Sequence, residues 1–148
     1  MLRMIATIGL AGVISAATAW AAPLAADETT IASLLHGMFD KPGEALLVEP
    51  VVVAGDHAIA DWTQGQMGGR ALLRRGQQQW TLILCAGDGI KTAEAMQMGG
   101  VPPADAKALE TGLATAEAKL SPERLAMFSR FEGLVRMDGK DGESQHHH

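Results

Sequence analysis

The sequence predicts an α+β domain: an N-terminal helix, a four-stranded antiparallel meander, and C-terminal helices packed on one sheet face. Apolar residues recur at helical spacing ahead of residue 40. Four β-rich runs follow between residues 46 and 86, parted by short glycine-bearing turns. After Gly89 the spacing turns helical again. Short turns between neighbouring runs favour sequential antiparallel pairing, and the apolar helix stripes then need a sheet face to cover.

The chain starts with an expected secretory signal peptide, residues 1–21. Arg3 supplies the positive end, Met4 to Ala17 is apolar and small, and Ala19-Trp20-Ala21 fits the small-x-small cleavage pattern. That apolar run is shorter than the ~20 residues of a spanning helix. No second such run follows, so no stable membrane span is expected after cleavage. Residues 22–138 then form the single domain. In it, Asp27 to Phe39 is the first helix, with Asp27 as N-cap and Ile31, Leu34, Leu35, Met38 and Phe39 along one face. Leu46 to Ala54 is a strand interrupted by Pro50, which suits an edge. His57 to Gln64, Arg70 to Arg75 and Gln79 to Ala86 complete the meander. Ile90 to Met98 is expected as a short helix capped by Asp88. Pro102-Pro103 opens a longer one to Lys119, whose buried stripe is Ala106, Leu109, Leu113, Ala116 and Leu120. Ser121-Pro122-Glu123 caps a third, with Leu125 and Phe128 inward, and Leu134 to Met137 offers a last short strand. Residues 139–148 form a polar tail ending in His146, His147 and His148, disordered by composition and either native or the remnant of a purification tag.

Alternation along the strands sorts the sheet into two faces. Ala58, Ala60, Trp62, Ala71, Leu73, Trp80, Leu82 and Leu84 are expected under helices. His57, Ile59, Asp61, Thr63, Leu72, Arg74, Thr81, Ile83 and Cys85 are expected on a mixed, partly wet face. A one-residue slip inverts such an assignment.

Charge narrows the partners. The chain has 12 Lys and Arg against 17 Asp and Glu, net −5, and removing residues 1–21 takes away Arg3 alone, leaving −6. Neutralising phosphates needs clustered cations, so a nucleic-acid partner is not expected. The single cysteine, Cys85, cannot form an intramolecular disulfide. Cys85 closes one strand while His57 opens another running the same way, so a dyad between them is not expected. With no G-x-S-x-G, no H-E-x-x-H and no tyrosine either, the expectation is a protein that is not an enzyme.

Sulfur offers the other chemistry. The meander brings the turn carrying Met67 toward the end of the strand carrying Cys85, and the helix with Met96 and Met98 leaves from that end. Thiolate and thioether donors select Cu(I). Met96 and Met98 lie about 200° apart on a helix of 3.6 residues per turn, so one of them at most joins the other two sulfurs. Each methionine and the cysteine also has an ordinary reading as core filler. His36-Gly37-Met38 is a weaker pair, with Met38 in the apolar stripe and His36 off it. Trp62 and Trp80 read as core anchors.

The runs VEPVVVAGDHAIADWTQGQMGGRALLRR and QQWTLILCAGDGI, with GVPPADAKAL, AEAKL, RLAMFSRFEGLVRMD and the earlier MFDKP, resemble a family of small exported bacterial proteins, the copper uptake system-associated proteins. The likeness spans nearly all of residues 22–138. It implies a periplasmic accessory protein of copper acquisition in a Gram-negative bacterium, with a copper-uptake receptor or copper chaperone as partner. That family often ends in a histidine-rich stretch, here reduced to three residues. The resulting expectation is non-catalytic copper binding or transfer, with Cys85, Met67 and either Met96 or Met98 as ligands and His146, His147 and His148 as a loose collecting site. The competing expectations are a cradle for small apolar ligands, of cystatin- or nuclear-transport-factor-like shape, and a metal-free protein–protein adaptor. A large apolar pocket on the face bearing Trp62 and Trp80 is the mark of the first of these.

Overall fold

In the computed structural model, which describes residues 21–138, one antiparallel sheet of five strands lies between two layers of helix. The strands are β1 (Leu47–Ala54), β2 (His57–Gln64), β3 (Met67–Arg75), β4 (Trp80–Ala86) and β5 (Leu134–Arg136), hydrogen-bonded in chain order. The α+β meander is as the sequence predicts, with a fifth strand added at the β4 edge. Helix α1 (Ala21–Phe39) precedes the sheet. A 3-10 turn at Asp88–Ile90 and helices α2 (Ala93–Met98), α3 (Pro103–Glu117) and α4 (Pro122–Phe128) stand between β4 and β5. The expected signal peptide, apart from Ala21, and the tail with His146, His147 and His148 lie outside the described residues. Among the described residues no helix is long and apolar enough to cross a membrane.

Local chemistry accounts for the element ends. The β1–β2 and β2–β3 loops are two-residue turns whose first residue, Gly55 or Gly65, takes a positive φ, a conformation that suits glycine and matches strand twist. Because the second turn is only Gly65-Gln66, β3 begins at Met67 and not at Arg70. The ladder of β1 shifts between Val48 and Val51, around Pro50, on the outer edge of the sheet. The helix expected from Ile90 is split: the Thr92 hydroxyl accepts from Ala95 N–H and caps α2, while Asp88 serves the preceding 3-10 turn. The Ser121 hydroxyl caps α4 in the same way, accepting from Arg124 N–H. Helix α1 starts well before Asp27, so Asp27 is not a cap. Its carboxylate instead accepts two bonds from Arg75, at 2.8 and 2.7 Å, pinning α1 to the sheet.

Both faces of the sheet are covered. Ile31 and Leu35 of α1 pack on Ala58, Ala60, Ala71, Leu73, Trp80, Leu82 and Cys85. Ile59, Leu72, Ile83, Leu84 and Ala86 meet Ile90, Met96, Leu109 and Leu113 on the other side. The C-terminal helices therefore lie on the face expected to be partly wet, and α1 takes the face bearing Trp62 and Trp80. A bulge corrects a second expectation. Leu72 pairs with Leu84 but Leu73 pairs with Leu82, so Ile83 is an extra residue in β4. That single insertion exchanges the faces of Leu84 and Cys85, moving the thiol to the α1 side.

Candidate functional site

The α1 face is not filled. A cavity of about 240 Å³ opens between α1 and the sheet, and its lining is almost wholly apolar. Leu35 and Phe39 enter from α1, Leu46 from the loop before β1, and Trp62 and Gln64 from β2. Ala71 and Cys85 form its floor, while Phe131, Val135 and Met137 wall it on the β5 side. The small side chain of Ala71 leaves the floor low where its ladder partner is Cys85. Gln64 Nε2 donates to the carbonyls of Phe39, at 2.7 Å, and Glu44, at 3.0 Å, tying the end of α1 to β2. Asp40 Oδ1 accepts from Leu46 N–H at 2.8 Å and secures the same corner.

Two glycines let the C-terminal part of the chain close in on the β2–β3 hairpin, Gly69 on the cavity side beside Trp62 and Gly68 on the other face beside Thr63. A Cβ on Gly68 would stand 2.6 Å from the Met127 carbonyl oxygen, and one on Gly69 would stand 2.9 Å from Phe131 Cβ. The lack of these side chains brings the Met127 end of α4, and Phe131 after it, tightly onto the β2–β3 hairpin. Phe131 then meets Trp62 edge to face, with ring centroids 5.9 Å apart. Trp62 Nε1 is shut off from solvent and has no acceptor among the described residues. The Trp80 indole differs, since its N–H donates to Asp27 at 3.4 Å and its ring carries the Arg75 guanidinium 4.4 Å from the centroid.

Burial pushes the Cys85 thiol up to about 11, so it stays protonated at neutral pH. The sulfurs nominated from the sequence are not gathered around it. Met96 is fully buried beneath α3 on the other face of the sheet. Met98 is 83% exposed on α2, and Met67 is 47% exposed beside the Gly65-Gln66 turn. Met67 also precedes Ala71, the ladder partner of Cys85, by four residues, or about 13 Å of strand at ~3.3 Å per residue. The thioether that shares a cavity with Cys85 is Met137. Among the described residues no group of three or more His, Cys, Asp or Glu side chains is placed to hold a metal ion.

The histidines lie elsewhere. His36 pairs with Asp40 through Nδ1 at 2.9 Å at the solvent side of α1. His57 is buried, and burial holds its pKa below the usual imidazole value against the pull of Asp105. Its ladder partner is Arg74, three residues from the partner of Cys85, and its side chain belongs to the opposite face.

A second constellation, which sequence reasoning missed, sits under the C-terminal helices. Arg70 is 1% exposed. Its guanidinium donates to Glu117 Oε1 from Nε at 2.8 Å and approaches the same oxygen with Nη2 at 2.7 Å. Nη1 donates to Asp88 at 3.0 Å. Phe128 stacks on the guanidinium at 5.5 Å, and Lys91 stands 3.6 Å from Glu117. Asp61 is fully buried and no closer than 3.6 Å to Arg70, each of whose three nitrogens faces another carboxylate more closely. Burial first, and then the charge of Glu117, push its carboxyl up to about 8. In the acid form its O–H donates to Glu117, which supplies the partner its ionised oxygens lack. Arg70, Glu117, Asp88 and Lys91 then sum to zero charge around a neutral Asp61.

The signal for this cluster was present in part. The stripe Leu109, Leu113 continues at i+4 to Glu117, which is buried where Ala116 and Leu120 were expected. No family model matches the sequence, and no curated protein and no solved structure matches it either.

Proposed function

We propose that this protein is a non-catalytic binding module that holds a small apolar molecule between α1 and the sheet. The observation that carries the reading is the cavity of about 240 Å³ with almost wholly apolar walls, on the face bearing Trp62. Pockets for small molecules are concave and mainly apolar, with few polar groups. An apolar cavity of ~150 Å³ takes benzene, so scaling by volume gives this one room for about ten non-hydrogen atoms. At about −0.5 kcal/mol per atom, between the bounds for very small and drug-sized ligands, binding of about −5 kcal/mol and a Kd of about 0.2 mM follow. The neutral Cys85 thiol suits such a lining.

The test is ligand-observed NMR and thermal unfolding with single-ring and eight- to ten-carbon apolar molecules. Wild type is expected to bind and to gain Tm, and Ala71→Leu, which raises the floor, is expected to lose both responses while keeping its fold. Equal responses in the two proteins would place the ligand elsewhere.

A second reading rests on Cys85 and Met137, two soft donors that line one cavity. In it the pocket seats Cu(I), and the protein serves copper uptake in the periplasm beside a receptor or chaperone, as the family resemblance implies. Binding then requires Cu(I) to displace the thiol proton, which leaves to solvent. Titration of Cu(I) against a competing chelator decides it: a Cys85→Ser, Met137→Leu double variant with undiminished affinity removes copper from the folded domain.

A further inference from the structure

Resting on the pocket reading above, we infer that the guest is a single-chain amphiphile, whose alkyl tail of about eight to ten carbons fills the cavity while its polar head stays in water at the β5 rim. The lining gives a head group little to bind inside. Trp62 Nε1 is shut off from the cavity as well as from solvent, so no guest atom reaches it. Gln64 Nε2 is committed to two carbonyls. The Cys85 thiol keeps its proton and is a weak donor, and neither lysine, arginine nor histidine lines the cavity. A carbonyl, carboxylate or phosphate taken inside would meet at most that S–H, and a sugar would carry more hydroxyls than such walls serve. Stripping a polar group of water without replacement costs more than burying one methylene gains.

One end of the cavity is wet. Ala71 and Cys85 on its floor are buried, whereas Val135 and Met137 are 47% and 40% exposed. Val135 pairs with Cys85 across the β4–β5 ladder, and cross-strand partners share a face. The Val135 side chain therefore stands on the α1 side of the sheet, at the rim. Among the described residues no strand lies beyond β5. A chain seated on Ala71 thus reaches water between α1 and β5. The volume is taken up by the tail alone, so any head larger than a hydroxyl lies outside.

The experiment measures the dissociation constants of 1-octanol, octyl β-D-glucoside and 1,8-octanediol with the wild-type protein, each probe kept below the concentration at which it aggregates. The glucoside is expected to bind within about fourfold of 1-octanol, less than the worth of one methylene, because the two share the buried part. The diol is expected to bind about tenfold or more weakly than 1-octanol, since one of its hydroxyls has to enter. From hexyl to octyl glucoside, affinity should rise about fourfold per methylene. In Ala71→Leu the raised floor should abolish glucoside binding, and undiminished binding there would put the tail elsewhere and overturn the inference. A glucoside that binds about tenfold or more weakly than 1-octanol means an enclosed guest, which overturns the amphiphile and leaves the pocket reading intact. A diol equal to 1-octanol, or no gain from hexyl to octyl, overturns it as well. Binding of none of the three overturns the amphiphile, and the pocket reading falls with it only when the single-ring molecules also fail to bind.

Discussion

Replacing Asp61 with asparagine is expected to change how stability depends on pH. Asp61 is fully buried, and its carboxyl is pushed up to about 8 from 3.8, chiefly by burial and by Glu117. Between those two values the folded protein keeps a proton that the unfolded chain has released. The unfolded state therefore binds fewer protons, and stability falls as pH rises through the window, by about 1.4 kcal/mol per pH unit for one proton. Below pH 3.8 both states are protonated and the loss vanishes. Asparagine keeps the shape, and its amide can still donate to Glu117, but it does not titrate. From pH 5 to pH 7, two units, the stability of Asp61→Asn should improve relative to wild type by about 3 kcal/mol. Urea unfolding of both proteins at pH 5, 6 and 7 measures it, and shared titrations such as that of His57 cancel in the difference. A difference that stays constant across this range would mean that Asp61 is ionised in the fold and paired with Arg70, and would refute the shared proton.

Three further outcomes are expected. Alkylation of Cys85 by iodoacetamide at pH 7 should be at least 100-fold slower than that of an exposed thiol, because a rise from 9.0 to about 11 cuts the thiolate fraction about 100-fold before access is counted. A rate near that of the unfolded protein would contradict the burial. Gly68→Ala should destabilise by about 2 kcal/mol or more in urea, since its Cβ would stand 2.6 Å from a backbone oxygen that cannot swing away. Asp27→Ala should lower stability by about 1 kcal/mol, the scale of a partly exposed bidentate pair, and the loss should shrink in high salt; equal losses at low and high salt would point to packing instead.

The meander and most helices are legible in the sequence because their signals are local. Gly55-Asp56 turns the chain by a conformation that glycine readily supplies, and Leu109 and Leu113 report burial through spacing alone. The candidate site is less legible because it depends on non-local facts. The bulge at Ile83 carries no residue-type signature, yet it decides which face Cys85 occupies. Met137 reaches the cavity only because β5 returns to the β4 edge from far along the chain. A third strand starting at Arg70 puts Met67 in the preceding turn, close to Cys85. The tighter turn at Gly65-Gln66 extends β3 and carries it away. Asp61 alternates onto the face opposite Ala60 and Trp62, so its burial was implied only if that face proved to be covered.

The three-residue strand β5 has a kinetic consequence. Three ladder pairs hold it to β4, whereas β2 and β3 share eight, so it is the strand least secured by backbone hydrogen bonding. Val135 and Met137, which wall the cavity, lie on or directly after it. Opening of so short an edge strand is a local event that precedes global unfolding. Guest exchange should therefore follow the fraying rate of residues 134–137, seen as early amide deuteration there, while the amides of β2 and β3 remain protected. A guest would leave through the edge of the sheet with the core intact, and its residence time would be set by three ladder pairs and the bond that Met137 N–H donates to the Ile83 carbonyl beside them.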